Sequence, residues 1–97
     1  MKGITIIYDC AIENKILKLF SDNGIERFAK ADNMKCEWRK DLRHMDTHTW
    51  PGTDSLIHLF LEDDTAKTFM DSFRNFKENL EEKVPLFAVV VNIEDMA

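Results

Sequence analysis

His44, Asp46 and His48 are the residues whose types and spacing come nearest to chemistry in this chain. Imidazole and carboxylate suit zinc, nickel or copper. A spacing of four puts the two histidines on one face if the segment is helical. In an extended segment all three residues point the same way. Cys36 or Asp41 would complete such a set. The competing reading is two solvated histidines on a polar loop, since a His-x-x-x-His pair without a further Cys/His cluster is a signal that many loops share. Beside them Arg39, Lys40 and Arg43 form a basic cluster, suited to an anion such as a nucleotide phosphate or to an acidic partner, or simply to water. The segment is flanked by the only two tryptophans, Trp38 and Trp50. Trp50-Pro51-Gly52 fits a type II turn, with Pro at its second and Gly at its third position. Its aromatic ring is also the kind of residue that anchors a binding surface.

Outside this stretch the candidates thin out. His58 lies inside an apolar run, where a satisfied subunit-contact role is the plainer reading and a ligand role near a symmetry axis the sharper one. Cys10 falls at a helix N-terminus, which stabilises a thiolate, yet no His lies nearby in sequence and an inert thiol is expected. No serine stands in a nucleophile-elbow context. Asp63-Asp64 and Glu81-Glu82 read as capping and surface residues. An enzyme is not expected.

The elements that must position these residues follow from periodicity. Gly3 to Tyr8 is rich in β-branched residues and predicts a strand. Asp9 is a plausible N-cap for a helix starting at Cys10, with Ile12, Ile16, Leu19 and Phe20 on its apolar stripe. Asn23-Gly24 stops that helix. A second strand runs from about Glu26 to Cys36, bulged or twisted near Ala31-Asp32-Asn33. The stretch from Trp38 to Asp54 is a long polar loop, and loops of such length are functional or disordered. Ser55 to Leu61 is a third strand. Asp63 and Asp64 cap a second helix whose stripe is Ala66, Phe69, Met70, Phe73, Phe76, Lys77 and Leu80. Pro85 cannot continue it, and Leu86 to Ile93 is the fourth strand.

The order β-α-β-β-α-β is the ferredoxin-like, α+β arrangement: a four-stranded antiparallel sheet with both helices on one face. Such a sheet should be polar on its uncovered face. Here Leu56, His58 and Phe60 alternate with Ile57, Leu59 and Leu61, and Phe87, Val89 and Val91 with Leu86, Ala88 and Val90. Both faces are apolar, so the open one is expected to meet another copy of the chain. Leu56, His58, Phe60, Ala88 and Val90 are the contact residues that this reading selects.

Composition sets the remaining bounds. The 97 residues make one domain, with a formal net charge of −5 that argues against nucleic acid or an anionic membrane as the main partner. No apolar run reaches the ~20 residues of a bilayer span, and the start of the chain lacks the pattern of a signal peptide. Two cysteines without a framework fit a reduced, cytoplasmic protein.

A chain of this order with a long loop between its middle strands and a sheet apolar on both faces resembles the P-II signalling superfamily. The resemblance runs from Met1-Lys2-Gly3-Ile4 to Asn92-Ile93-Glu94 and rests on Asn23-Gly24-Ile25, the long loop and the closing Val-Val-Val-Asn-Ile-Glu. His48-Thr49-Trp50-Pro51-Gly52 is similar to a P-II-like subgroup rather than to the nitrogen regulators themselves. The resemblance implies a homotrimer that binds small ligands between subunits and contacts a target protein, a membrane transporter or an enzyme, through the loop. The nitrogen regulators cradle ATP phosphates with a glycine- and lysine-bearing loop, where this chain has Asn79-Leu80-Glu81-Glu82-Lys83-Val84-Pro85. Glycines let backbone N–H groups approach a phosphate and carboxylates repel it. An ATP site of that kind is therefore not expected, and a divalent metal is the cofactor left open. The loop has no tyrosine for uridylylation. Divalent-cation-tolerance trimers share the topology and compete with this reading.

Overall fold

A computed structural model describes residues 1–37, 43–44 and 53–97. Its elements run β1 (Lys2–Asp9), a 3-10 turn (Cys10–Ile12), α1 (Glu13–Asp22), β2 (Ala29–Met34), β3 (Cys36–Glu37), β4 (Arg43–His44), β5 (Asp54–Leu61), α2 (Asp63–Glu78) and β6 (Leu86–Asn92). The four long strands form an antiparallel sheet in the order β2-β5-β1-β6, while β3 and β4 pair as a separate short ladder within the long connection. This is the ferredoxin-like β-α-β-β-α-β layout expected from the sequence.

The apolar stripes explain the layering. Ile16, Leu19 and Phe20 of α1 and Ala66, Phe69, Met70 and Phe73 of α2 are buried against Ile4 and Ile6 of β1 and Ile57 and Leu59 of β5. Phe20 and Phe69 lie 5.8 Å apart between ring centroids, so the two helices share an aromatic seam. Burial of such a side chain contributes about 1.5–3 kcal/mol.

The ends of the elements refine the sequence reading. Helix α1 closes as anticipated: Gly24 takes φ +70°, its N–H donates to Ser21 O at 3.1 Å, and Ile25 N–H donates to Phe20 O at 2.9 Å. That is the paired bond pattern of a left-handed C-terminal cap. Its N-terminus differs, because Cys10–Ile12 winds as a 3-10 turn and α1 begins only at Glu13. Strand β2 starts at Ala29 rather than Glu26, and Cys36 belongs to the separate ladder. The irregularity expected around Ala31-Asp32-Asn33 is present: the β2–β5 register shifts between Ala31 and Met34, and Asn33 has φ 60°. In α2 the N-cap position is Glu62, with Asp63 and Asp64 inside the first turn, where their charge still suits the helix dipole. The helix stops at Glu78, well before Pro85, and Asn79 turns back to donate from Nδ2 to Asn75 O at 2.8 Å. Among the described residues no helix is long and apolar enough to cross a membrane.

One assignment is corrected by register. Ala88 pairs with Ile6 and Val90 with Ile4, and both isoleucines are buried beneath the helices. Directly opposed residues share a face. Ala88 and Val90 therefore lie on the helix side, and the open face is built from Thr5 and Ile7, Leu56, His58 and Phe60, and Phe87, Val89 and Val91. The error arose because both alternating sets of β6 are apolar, so its sequence carries no phase.

Candidate functional site

The long connection between β2 and β5 is rooted in a polar base of five side chains from four elements. Tyr8, at the end of β1, is fully buried, and its hydroxyl donates to Glu13 Oε1 of α1 at 2.8 Å. Lys30 of β2 forms an ion pair with the same carboxylate and lies 3.2 Å from Asp32 Oδ1. Ser55 of β5, buried, donates from its hydroxyl to Asp32 Oδ1 at 2.9 Å. Tyr8 and Ser55 are register partners of β1 and β5, so four side-chain contacts and that strand pairing close a ring: Tyr8, Glu13, Lys30, Asp32, Ser55 and back. It bolts both stems of the connection to β1 and α1.

The ring's charges hold one another. Lys30 and then Tyr8 keep the Glu13 carboxyl below its ordinary range, and Ser55 and then Lys30 do the same for Asp32. Glu13 and Asp32 in turn raise Lys30. Burial, reinforced by the Glu13 carboxylate, pushes the Tyr8 phenol up to about 12. The proton on each hydroxyl is thus committed to a carboxylate, and the arrangement orients side chains rather than activating a nucleophile.

On the other face of the same strand ends lie Asp9 and Asp54, register partners and both buried. Asp9 accepts from Ala11 N–H at 2.7 Å, which confirms it as the cap of the 3-10 turn. The Cys36 thiol donates to Asp54, and burial followed by that carboxylate pushes it up to about 11. Cys10 N–H donates to Thr53 O at 3.2 Å, and Asp9 N–H to Pro85 O at 3.3 Å. The segment between α2 and β6 is thereby tied to the foot of the long loop. Lys15 reaches Glu82 in that segment and holds its carboxyl low.

Of the residues singled out from the sequence, Trp38, Arg39, Lys40, Asp46, His48 and Trp50 lie outside the described residues. Arg43 and His44 form β4, where His44 is the register partner of Cys36 and Arg43 that of Glu37. Among the described residues no group of three His, Cys, Asp or Glu side chains is arranged to hold a metal ion. Leu56, His58 and Phe60 stand on the open face, where Thr5 Oγ1 and His58 Nδ1 lie 2.9 Å apart. Cys10 is an exposed free thiol and Cys36 a buried one. The ring was missed because its members are scattered from residue 8 to residue 55. The available signal was polar Lys30 and Asp32 at alternate positions of β2, with the only tyrosine of the chain at the end of an apolar strand.

The fold and the loop rooted at this base define the class: the chain has the fold of P-II-like signalling proteins. It superposes on CPII, a nitrogen regulatory PII-like protein of Thiomonas intermedia solved with ADP, AMP and bicarbonate, with a TM-score of 0.68 at 12% identity, over 97% of this chain and 88% of that one. A PII-like signalling protein of Thermus thermophilus matches with a TM-score of 0.66 at 15% identity, over 95% and 85% of the two chains. The apo form of CPII gives 0.59 at 14% identity, over 93% and 89%. At these identities the likeness establishes the fold. No protein-family model matches the sequence, and no curated protein matches it either.

Proposed function

We propose that this protein is a non-catalytic, cytoplasmic regulatory module that binds a small anionic ligand at the foot of its long loop, between subunits, and contacts a partner protein through that loop. The observation that carries the proposal is the ring of Tyr8, Glu13, Lys30, Asp32 and Ser55, buried at Tyr8 and Ser55, which ties both stems of the loop to a P-II-like sheet. A rigid base lets a ligand change the loop without changing the fold. CPII was solved with two adenine nucleotides and bicarbonate, and this chain carries the cations Arg39, Lys40 and Arg43 in its own long connection. That complex reopens the nucleotide site that Glu81 and Glu82 argue against. Subunits associate through the open sheet face at Leu56, His58 and Phe60, joined by Val89 and Val91 in place of Ala88 and Val90.

A thermal-shift series of chelator-treated protein against ADP, AMP, bicarbonate and divalent metals tests the reading. Saturating ligand at a hundredfold excess over Kd stabilises by about 2.7 kcal/mol, which moves the midpoint upward on the order of 10 °C in a chain of this size. A nucleotide response lost in the Arg39→Ala/Lys40→Ala/Arg43→Ala variant supports the anion site. Silence with every nucleotide and with bicarbonate removes it. A second reading, a divalent-metal site of His44, Asp46 and His48, draws on the register pairing of Cys36 with His44, which brings a thiol residue beside an imidazole one. A metal-specific shift abolished by His48→Ala selects that reading instead.

A further inference from the structure

Strand β6 is one edge of the sheet: among the described residues it pairs only with β1. Its outer side leaves backbone N–H and C=O groups open to another strand. Proteins guard such edges with charges, prolines or bulges, yet the strand Leu86-Phe87-Ala88-Val89-Val90-Val91 contains none of them, and the Lys77 ammonium of α2 stands only over its start, 5.2 Å from the Phe87 ring centroid. Val89 and Val91 are 56% and 55% exposed on the open face, and Val90 is 39% exposed on the helix face. A second subunit on the open face would cover Val89 and Val91. It would leave Val90 and the backbone edge bare.

Beside Val90 lies a groove of about 230 Å³ between β6 and α2. Ala66, Met70 and Val90 give it an apolar lining, and Lys2, Lys67 and Arg74 stand around it. Its one acidic lining residue, Asp63, is 2.9 Å from the N-terminal ammonium, which neutralises it. Lys2 also reaches Asn92, and Arg74 lies 3.5 Å from Asp71 on the exposed helix surface. In a chain of net charge −5 this is a cationic mouth on an apolar slot next to an unpaired strand.

We propose that the β6 edge and this groove form a docking site for an extended acidic peptide of a partner protein. The peptide adds as a strand to β6, places alternate apolar side chains over Ala66, Met70 and Val90, and brings carboxylates to Lys2, Lys67 and Arg74. Strand addition draws affinity from main-chain hydrogen bonds and specificity from such side-chain pockets. Charge complementarity decides between occupants. A second copy adding its own β6 would bring two sets of the same three cations together. A second copy offering β2 would present a strand interrupted at Asp32-Asn33. An acidic segment meets neither obstacle.

The test is selection of peptides from a random library on the purified protein, followed by affinity measurement on the wild type and on the Lys67→Glu/Arg74→Glu variant. Both substituted residues are exposed, and circular dichroism checks that the variant stays folded. The expected peptides alternate apolar and acidic residues, bind the variant at least about tenfold more weakly, and lose binding when alternate backbone amides are N-methylated. Enrichment of peptides without carboxylates, indifference to charge reversal or tolerance of N-methylation overturns the proposal. So does a library that yields no binder. In a separate arm, Val90→Cys tests self-pairing: a disulfide-linked dimer together with loss of the selected peptides' binding assigns the edge to a second copy and overturns the proposal as well.

Discussion

Among the described residues strands β2 and β6 each pair on one side only, and their chemistry is opposite. The β2 edge is Ala-Lys-Ala-Asp-Asn-Met, with a register shift at Asp32-Asn33 and a lysine and an aspartate built into a closed polar ring. The β6 edge is unbroken, apolar, and exposed on both faces along Val89 to Val91. A bulge and inward-turned charges stop a strand from recruiting another. Strand β2 is therefore closed to addition and serves as a fixed stem for the loop, whereas β6 is left as a surface to be covered. The difference locates rigidity at one side of the sheet and association at the other.

The largest test of that contrast is a charge on the association side. Val89→Asp, on the open face of β6, should weaken self-association by about 100-fold or more, since an unpaired charge buried in an interface costs several kcal/mol. Sedimentation velocity across a concentration series reads it. Lys30→Met at the opposite edge faces the helices and should leave the association constant unchanged. Equal effects from the two would erase the distinction between the edges.

Next in size is the ring. Tyr8→Phe removes the hydroxyl that donates to the half-buried Glu13 carboxylate, which keeps Lys30, at a cost of about 1–1.5 kcal/mol in a urea unfolding curve. A change within about ±0.5 kcal/mol would mean that the Tyr8 hydroxyl does not hold Glu13 and the loop stems in place.

The same ring should give stability a slope at both ends of the pH scale. Glu13 and Asp32 have depressed folded values, so their contribution is complete above the ordinary carboxylate range near pH 4 and is lost as pH falls through those values. Tyr8 has a raised value: its contribution is complete below the unfolded phenol value near 10 and is lost as pH rises from there towards about 12. Because the chain has one tyrosine, phenolate absorbance reads Tyr8 directly. A midpoint near 10 in the folded protein would contradict its burial.

Much of this was legible in the sequence, and the gaps have identifiable causes. The stripe of Ala66, Phe69, Met70 and Phe73 specified α2 because a period of 3.6 has only one structural meaning over four turns. Gly24 announced its own left-handed turn. The open-face membership of Leu56, His58 and Phe60 was readable because His58 broke the apolar run. Strand β6 has no such marker, so its phase came only from pairing with Ile4 and Ile6. The end of α2 was placed too late because Pro85 is a loud signal and the side-chain cap of Asn79 a quiet one. The ring was invisible for a different reason. Glu13 and Lys30 each read as a solvated charge, and only the fold brings them together.

The smallest predicted effect concerns the bulge that closes β2. Asn33 holds φ 60°, a region that asparagine tolerates and glycine occupies freely. Asn33→Gly relieves the folded backbone but widens the unfolded ensemble, so the two effects offset to within about 0.5 kcal/mol. Asn33→Val pays for the same conformation with a β-branched side chain and should cost about 1–2 kcal/mol. If the valine variant is instead as stable as the parent, β2 has straightened and paired through Asn33. Its edge would then be open to strand addition like β6, and solubility of the variant should fall as the unguarded edge lengthens.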